Sequence, residues 1–325
     1  MMPRPLALRL LEAAPLLLFL AVVLLFGTQS AGFLTAANAA QILAQAAPTV
    51  IVAVGMTFVL LTAGVDLSVG ALMFIGAGVA GHLAIAGYPL PVSIAVMVAI
   101  GVAGGGVNAL LVSRFGLVPF VATLATLYIG RGLGRWITET RAMNLPESFL
   151  VIGASEPLGL PLPVWAAAAV AVAGQCVLST TPFGRYLYAL GADPEGARKA
   201  GLPTRRLIAA VYVISGACAG LGGLLALARL GAVSPRFGEF YEFDAITASV
   251  LGGTSLYGGR GRVLPDTVVG ALLVKTIFSG LVSVQADPYL YPLITATIIF
   301  LAVAVDSARS RLAARLTRRV IRVDA

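Results

Sequence analysis

The stretch QILAQAAPTVIVAVGMTFVLLTAGVDLSVGALMFIGAGVAGHLAIAG (41–87) decides the fold, because Asp66 is its only formal charge. It is the middle of a longer run, since Asp66 is also the only charge between Glu12 and Arg114. Further uncharged runs cover 157–184, 207–228 and 288–305. A helix needs about 20 apolar residues to cross the hydrocarbon core of a bilayer. Inside lipid, only helices and closed barrels satisfy every backbone N–H and C=O. A barrel would read as alternating segments of about ten residues. These runs are longer and do not alternate. The chain therefore reads as an all-α, polytopic integral membrane protein.

Composition agrees. Hydrophobic residues make up 59% of the chain and charged residues 11%, against about 25% charged in a soluble domain. The net charge of +8 does not point to nucleic acid. The arginines sit beside apolar runs, where they act as topogenic signals and as contacts to anionic lipid headgroups. Cys176 and Cys218 lie in apolar runs without disulfide or metal-ligand spacing and read as free core thiols.

Spans are expected at about 10–28, 42–63, 67–87, 90–112, 117–137, 162–180, 207–229, 244–258, 263–284 and 289–306, about ten in all. The eighth is weakest, short and with three glycines, and has the character of a re-entrant or broken segment. Arg4 and Arg9 before the apolar 13–26 resemble a signal peptide, but no clear cleavage box follows directly, so the segment reads as a first helix. With the N-terminus inside, sixteen of the 22 Lys and Arg fall on the inner side, which places both termini in the cytoplasm. No segment is long enough for a soluble catalytic domain, so 1–325 reads as one transmembrane domain. Its largest inner loop is 181–206 and its basic tail is 307–325. The tail is either an amphipathic helix lying at the interface or a solvated basic segment. VGMTFV (54–59) and VGAL (69–72) echo LGGTSL (251–256) and VGAL (269–272), a match that chance among abundant Gly, Ala, Val and Leu also explains.

Several chemical motifs fail. Gly76, Gly78 and Gly81 match GxGxxG, but in an apolar run with no preceding strand. GTSLYGGRG (253–261) begins like a phosphate loop but has Gly259 and Arg260 where Lys and Ser or Thr must follow. His82 is the only histidine, so no His-based triad or multi-His metal site can be built. No catalytic or metal residue is assigned. Glycines at four-residue spacing (Gly101/Gly105, Gly130/Gly134, Gly216/Gly220) mark faces for close helix packing.

Asp66, in GVDLSVG (64–70), is the sharpest single residue. It is either a functional ionisable group at membrane depth or an N-cap in a tight cytoplasmic turn, where Asp66 or Ser68 caps the next helix. Asp244 raises the same question. In the inner loop, Asp193 can cap a short helix opened by Pro194, with Glu195 in its first turn. Ala197, Arg198 and Lys199 continue it, and Gly201 with Pro203 stops it. A short, capped, charged helix in this position is suited to docking on a partner.

Three stretches, GMTFVLLTAGVDLSVG (55–70), GRYLYALGADPEGARKAGLP (184–203) and DAITASVLGGTSLYGGRG (244–261), resemble the signatures of ribose-type importer permeases of the ATP-binding-cassette (ABC) class. These belong to a wider group that includes the branched-chain amino-acid permeases. The resemblance covers about residues 15–306, with the motifs in family order. It implies a permease subunit of the bacterial inner membrane that imports a small polar solute, most often a monosaccharide, by alternating access. The implied partners are a second permease subunit, cytoplasmic ATPase subunits and a periplasmic solute-binding protein. No cofactor is bound by this chain, ATP and Mg residing on the ATPase. Asp193–Gly201 becomes the coupling helix. Polarity in apolar context nominates Asp66, Ser68, Asn108, Thr123 and Gln285 for the translocation path. Pro265-Asp266 departs from the family pattern and puts the start of the ninth span in doubt. The alternatives are an ion- or proton-coupled secondary transporter, which needs embedded carboxylates, and a membrane enzyme, which the lone His82 disfavours.

Overall fold

The computed structural model describes residues 6–30, 32–291 and, between 293 and 304, all but 295, 299, 302 and 303. The tail expected at 307–325 lies outside the described residues. In chain order the helices are α1 (Leu6–Gln29), α2 (Ala36–Leu61), α3 (Val69–Ile85), α4 (Leu90–Ala109) and α5 (Pro119–Ile137). Then come α6 (Glu147–Ala154), α7 (Leu162–Thr180), α8 (Pro182–Ala192), α9 (Pro194–Lys199), α10 (Thr204–Leu230), α11 (Tyr241–Gly252) and α12 (Val268–Ser283). Two short strands, β1 (Met143–Asn144) and β2 (Ala232–Val233), pair antiparallel. Five of the described helices are long and apolar enough to cross a membrane, and α1 and α3 supply shorter apolar helices. The chain is a multi-pass helical membrane protein.

The centre is a backbone-to-backbone seam between α4 and α10. A Cβ on Gly101 or Gly216 would collide with the other's carbonyl oxygen, and one on Gly105 would meet the Tyr212 carbonyl. A Cβ on Gly220 would stand 2.6 Å from Met97 O. The glycine spacing read from the sequence thus becomes the most extensive helix pairing among the described residues, the close approach that small residues permit in lipid. Gly130 and Gly134 similarly seat α5 on Ala71 and Phe74 of α3.

α2, with most of its length buried, runs through the core. Its end is a Schellman turn: Gly64 N–H donates to Val59 O (3.2 Å) and Ala63 N–H to Leu60 O (2.9 Å). The left-handed residue is Ala63 (φ 57°), not Gly64. Gly64 is needed for space, because a Cβ there would meet the Tyr212 hydroxyl at 2.8 Å.

One expected span changes and another starts irregularly. The eighth, placed at 244–258, is the twelve-residue α11, about 18 Å at 1.5 Å per residue and too short to cross alone. It starts after left-handed Phe240 (φ 67°) and ends at Gly253 (φ 122°). The ninth, placed at 263–284, is found at Val263–Ser283, with a wide turn over Val263–Thr267 before the regular helix begins at Val268. Asp266 there is held bidentate by Arg262, with both bonds 3.0 Å. The segment 139–162 is hydrophilic. It supplies β1 and α6, and Gly153 of α6 packs on the Ala228 carbonyl of α10.

The two VGAL copies of the internal echo share a setting. Each VGAL copy lies at the beginning of a helix that follows a break, with an aspartate three residues before it (Asp66, Asp266). Its glycine is pressed on a backbone carbonyl in both copies, Gly70 on Gly238 and Gly270 on Ala248.

Candidate functional site: a coupling helix and a buried polar hinge

α9 forms as its residues dictate. Asp193 Oδ1 accepts from the N–H groups of Glu195 (3.1 Å) and Gly196 (2.9 Å), satisfying donors that a helix start leaves free. At the other end Gly201 is left-handed (φ 79°), and Leu202 N–H donates to Ala197 O at 3.1 Å, closing a Schellman motif. Ala197 is the buried residue of the helix. Glu195, Arg198 and Lys199 point outward, and Glu195 stands 3.8 Å and 3.7 Å from the other two. Such exposed pairs contribute little to stability, so these charges remain available to a partner.

The loop is bolted to the bundle. Gly191, on α8, lies where a Cβ would overlap Leu61 O and Gly259 N, and Gly259 N–H donates to Leu61 O at 3.0 Å. The Tyr188 hydroxyl donates to Gly261 O at 2.7 Å. GTSLYGGRG is therefore a turn joining α11 to α12, its glycines at 258, 259 and 261 all at positive φ, and it rests against both α8 and the end of α2. Movement of α8 and α9 would reach three helices through these contacts.

Directly above α2's end is a buried polar cluster. Asp66 Oδ1 accepts from Ser68 N–H (3.0 Å), Ser68 Oγ (2.6 Å) and Asn108 Nδ2 (3.4 Å), and Oδ2 accepts from Ser215 Oγ (2.8 Å). Asn108 also donates to Ser68 Oγ (2.7 Å) and accepts from Thr126 Oγ1 (2.7 Å). Thr123 and Tyr212 both donate to Val65 O, at 3.3 Å and 3.4 Å. Ser68 occupies the N-cap position of α3 but makes no capping bond with its side chain. Asp66 takes the Ser68 N–H instead. The tight turn is thus not a surface feature but the buried centre of a network tying the α2–α3 break to α4, α5 and α10.

Four of the five residues nominated for the path, Asp66, Ser68, Asn108 and Thr123, therefore meet in one cluster, all fully buried. Gln285 does not join them. It lies apart from them, exposed just past α12, at φ 54°. Sequence reasoning missed Ser215, Thr126 and Tyr212, which are ordinary polar residues in apolar helices until the fold brings them to Asp66.

It also missed the pairing of the embedded charges. Lys275, within α12, forms an ion pair with Asp244 of α11 and lies over the rings of Tyr241 (5.7 Å) and Phe278 (5.5 Å). Arg131 is buried within α5 and donates to Phe237 O at 2.6 Å. His82 Nε2 donates to Ile137 O, 2.8 Å away. No cluster of His, Cys, Asp or Glu with metal-binding geometry occurs among the described residues.

A helical bundle with a short, capped, outward-facing helix bolted to a broken-helix core is the architecture of a transport permease. The chain belongs to the family described as the branched-chain amino acid transport system / permease component, whose model matches residues 38–303. Among curated proteins it is similar to the ribose import permease protein RbsC of Escherichia coli K12, 36% identical over 92% of this chain and 95% of that one. It is likewise similar to the D-allose transport system permease protein AlsC of the same strain, 36% identical over 89% of this chain and 90% of that one. The fructose import permease protein FrcC of Rhizobium meliloti is 34% identical over 93% of this chain and 87% of that one. No solved structure matches the chain.

Proposed function

We propose that this chain is the membrane-spanning subunit of an ATP-driven importer, with about ten spans, both termini cytoplasmic, and its seat in a bacterial inner membrane. The load is a monosaccharide, in keeping with the ribose, allose and fructose permeases it resembles. ATP and Mg belong to a separate ATPase, a binding protein delivers the solute, and a second permease subunit completes the path. The observation that carries this reading is α9, a helix capped at both ends whose charges pair only with one another among the described residues.

In this mechanism the ATPase grips Asp193–Gly201 and displaces it. The joint of Gly191, Leu61 and Gly259 passes the displacement to α2, α11 and α12. The Asp66 cluster holds the α2–α3 break as a hinge, and the bundle tilts so that its path opens to one side and then to the other. A ligand or nucleotide shifts such an equilibrium only by its differential affinity for the two states. Different contacts of α9 in each state meet that requirement.

The load is tested by uptake into vesicles containing the complex of permease, ATPase and binding protein. Labelled D-ribose, D-allose and D-fructose are offered singly and in competition with branched-chain amino acids. At least one sugar is expected to accumulate, unaffected by a hundredfold excess (about 100 to 1) of leucine, enough to displace the load from any shared site of similar affinity. Accumulation of leucine in place of all three sugars would overturn the monosaccharide reading.

A further inference from the structure

Arg131 and Glu242 have no part in the mechanism above, yet both are charged and only 8% and 5% exposed. Arg131 lies within α5, about 18 Å from the helix start and about 9 Å from its end at 1.5 Å per residue. Charges at such depth are costly and are kept for a use. Arg131 Nη1 is engaged with Phe237 O, but Arg131 Nη2 and Glu242 Oε2 are buried without a hydrogen-bond partner among the described residues.

These two atoms converge on one place. A Cβ on Gly70 would overlap Glu242 Oε2 and stand 3.1 Å from Arg131 Nη2. Gly70 is in the first turn of α3 and Glu242 in the first turn of α11. The two helices start at this spot and run in opposite senses, α11 toward the GTSLYGGRG turn and α3 away from it. Gly238 completes the wall, since a Cβ there would collide with the Gly70 carbonyl. The place is closed here by Gly70 and Gly238 backbone pressed together, with the Arg131 Nη2 donor and the Glu242 Oε2 acceptor beside it, each without a partner among the described residues.

That donor–acceptor pair limits its ligand. A guanidinium only donates and a carboxylate only accepts. An ammonium group alone cannot satisfy Nη2, a carboxylate alone cannot satisfy Oε2, and a hydrocarbon satisfies neither; a zwitterion could satisfy both through two groups, and the monosaccharide reading selects the hydroxyl instead. A hydroxyl satisfies both through one oxygen, donating to Oε2 and accepting from Nη2.

We propose that Arg131 Nη2 and Glu242 Oε2 form a subsite for one hydroxyl group of the transported solute, reached when α11 separates from α3 during alternating access. The proposal rests on the monosaccharide reading. The position suits it, because a solute site must lie where both sides of the membrane reach it in turn, and transporters build such sites from helices that begin inside the bilayer. The cover is the 234–240 segment, fixed to α5 by the Arg131–Phe237 bond and entering α11 through left-handed Phe240. Water offers the same chemistry as a solute hydroxyl, so the test separates the two.

The test uses the assembled complex in vesicles, with the sugar that the wild type imports and its monodeoxy analogues, reading initial uptake and ATP hydrolysis together. Glu242→Gln and Arg131→Lys should each slow uptake of the parent sugar by about tenfold or more, the scale of a lost hydrogen bond to a charged group. ATP hydrolysis should persist. One analogue, lacking the engaged hydroxyl, should already be slow in the wild type and lose little more in Glu242→Gln, because the two deletions remove the same bond. Equal slowing of the parent and every analogue would assign the pair to water or to packing and overturn the proposal, as would unchanged uptake in both variants. A wild-type complex that imports no monosaccharide would instead fail the functional reading itself, a separate outcome.

Discussion

Exchanging two charges on α9, Glu195→Lys together with Lys199→Glu, is expected to abolish uptake and retention of the ATPase while leaving the amount of inserted permease unchanged. The exchange keeps an i,i+4 pair, so the helix loses only a few tenths of a kcal/mol, about 0.2–0.5 for such a pair. Both caps, Asp193 and Gly201, are untouched, as is buried Ala197. Only the charge pattern shown to a partner is inverted. A like charge set against each of two partner charges costs several kcal/mol at an interface, enough to empty it at cellular concentrations. The check is co-purification of the ATPase with tagged permease, beside uptake in cells. Wild-type retention of the ATPase by the exchanged variant would remove α9 from the interface.

The second large effect is at Asp66. Asp66→Ala is expected to yield no stable protein, whereas Asp66→Asn folds with a lowered melting temperature. Truncation strands Ser68 N–H and the hydroxyls of Ser68 and Ser215, all fully buried. Each stranded group costs about 1–3 kcal/mol, against a total stability of about 5–15 kcal/mol. Asparagine keeps an oxygen for Ser68, and the Ser215 hydroxyl can turn to accept from the new amide. Monodisperse yield after detergent extraction and a melting curve read the difference. An alanine variant as stable as wild type would show that the network is not what holds the α2–α3 break.

Much of this was legible in the residues. Long uncharged runs located α2, α4, α7 and α10 closely, because lipid forbids exposed backbone and the apolar length is set by the bilayer. α9 was legible for a different reason: capping is local chemistry, and Asp193, Pro194 and Gly201 act within one turn of their own positions. The glycine pairs were visible, but not that Gly101 and Gly105 face Gly216 and Gly220, which is a property of two helices together. The same limit hid the partners of Asp66 and the pairing of Asp244 with Lys275. The shortness of α11 was signalled by its glycines, while its start at Phe240 was not, since a left-handed phenylalanine has no sequence signature.

The central claim is that transport energy enters from a partner ATPase and not through charges embedded in this chain. The most direct measurement is solute accumulation by vesicles containing the permease, ATPase and binding protein, with either ATP on the nucleotide-binding side or an imposed proton or sodium gradient. Accumulation should require ATP hydrolysis and be indifferent to ionophores. Accumulation by the permease alone, driven by an ion gradient without ATP, would contradict it and return Asp244, Lys275 and Asp66 to the role of a coupling relay.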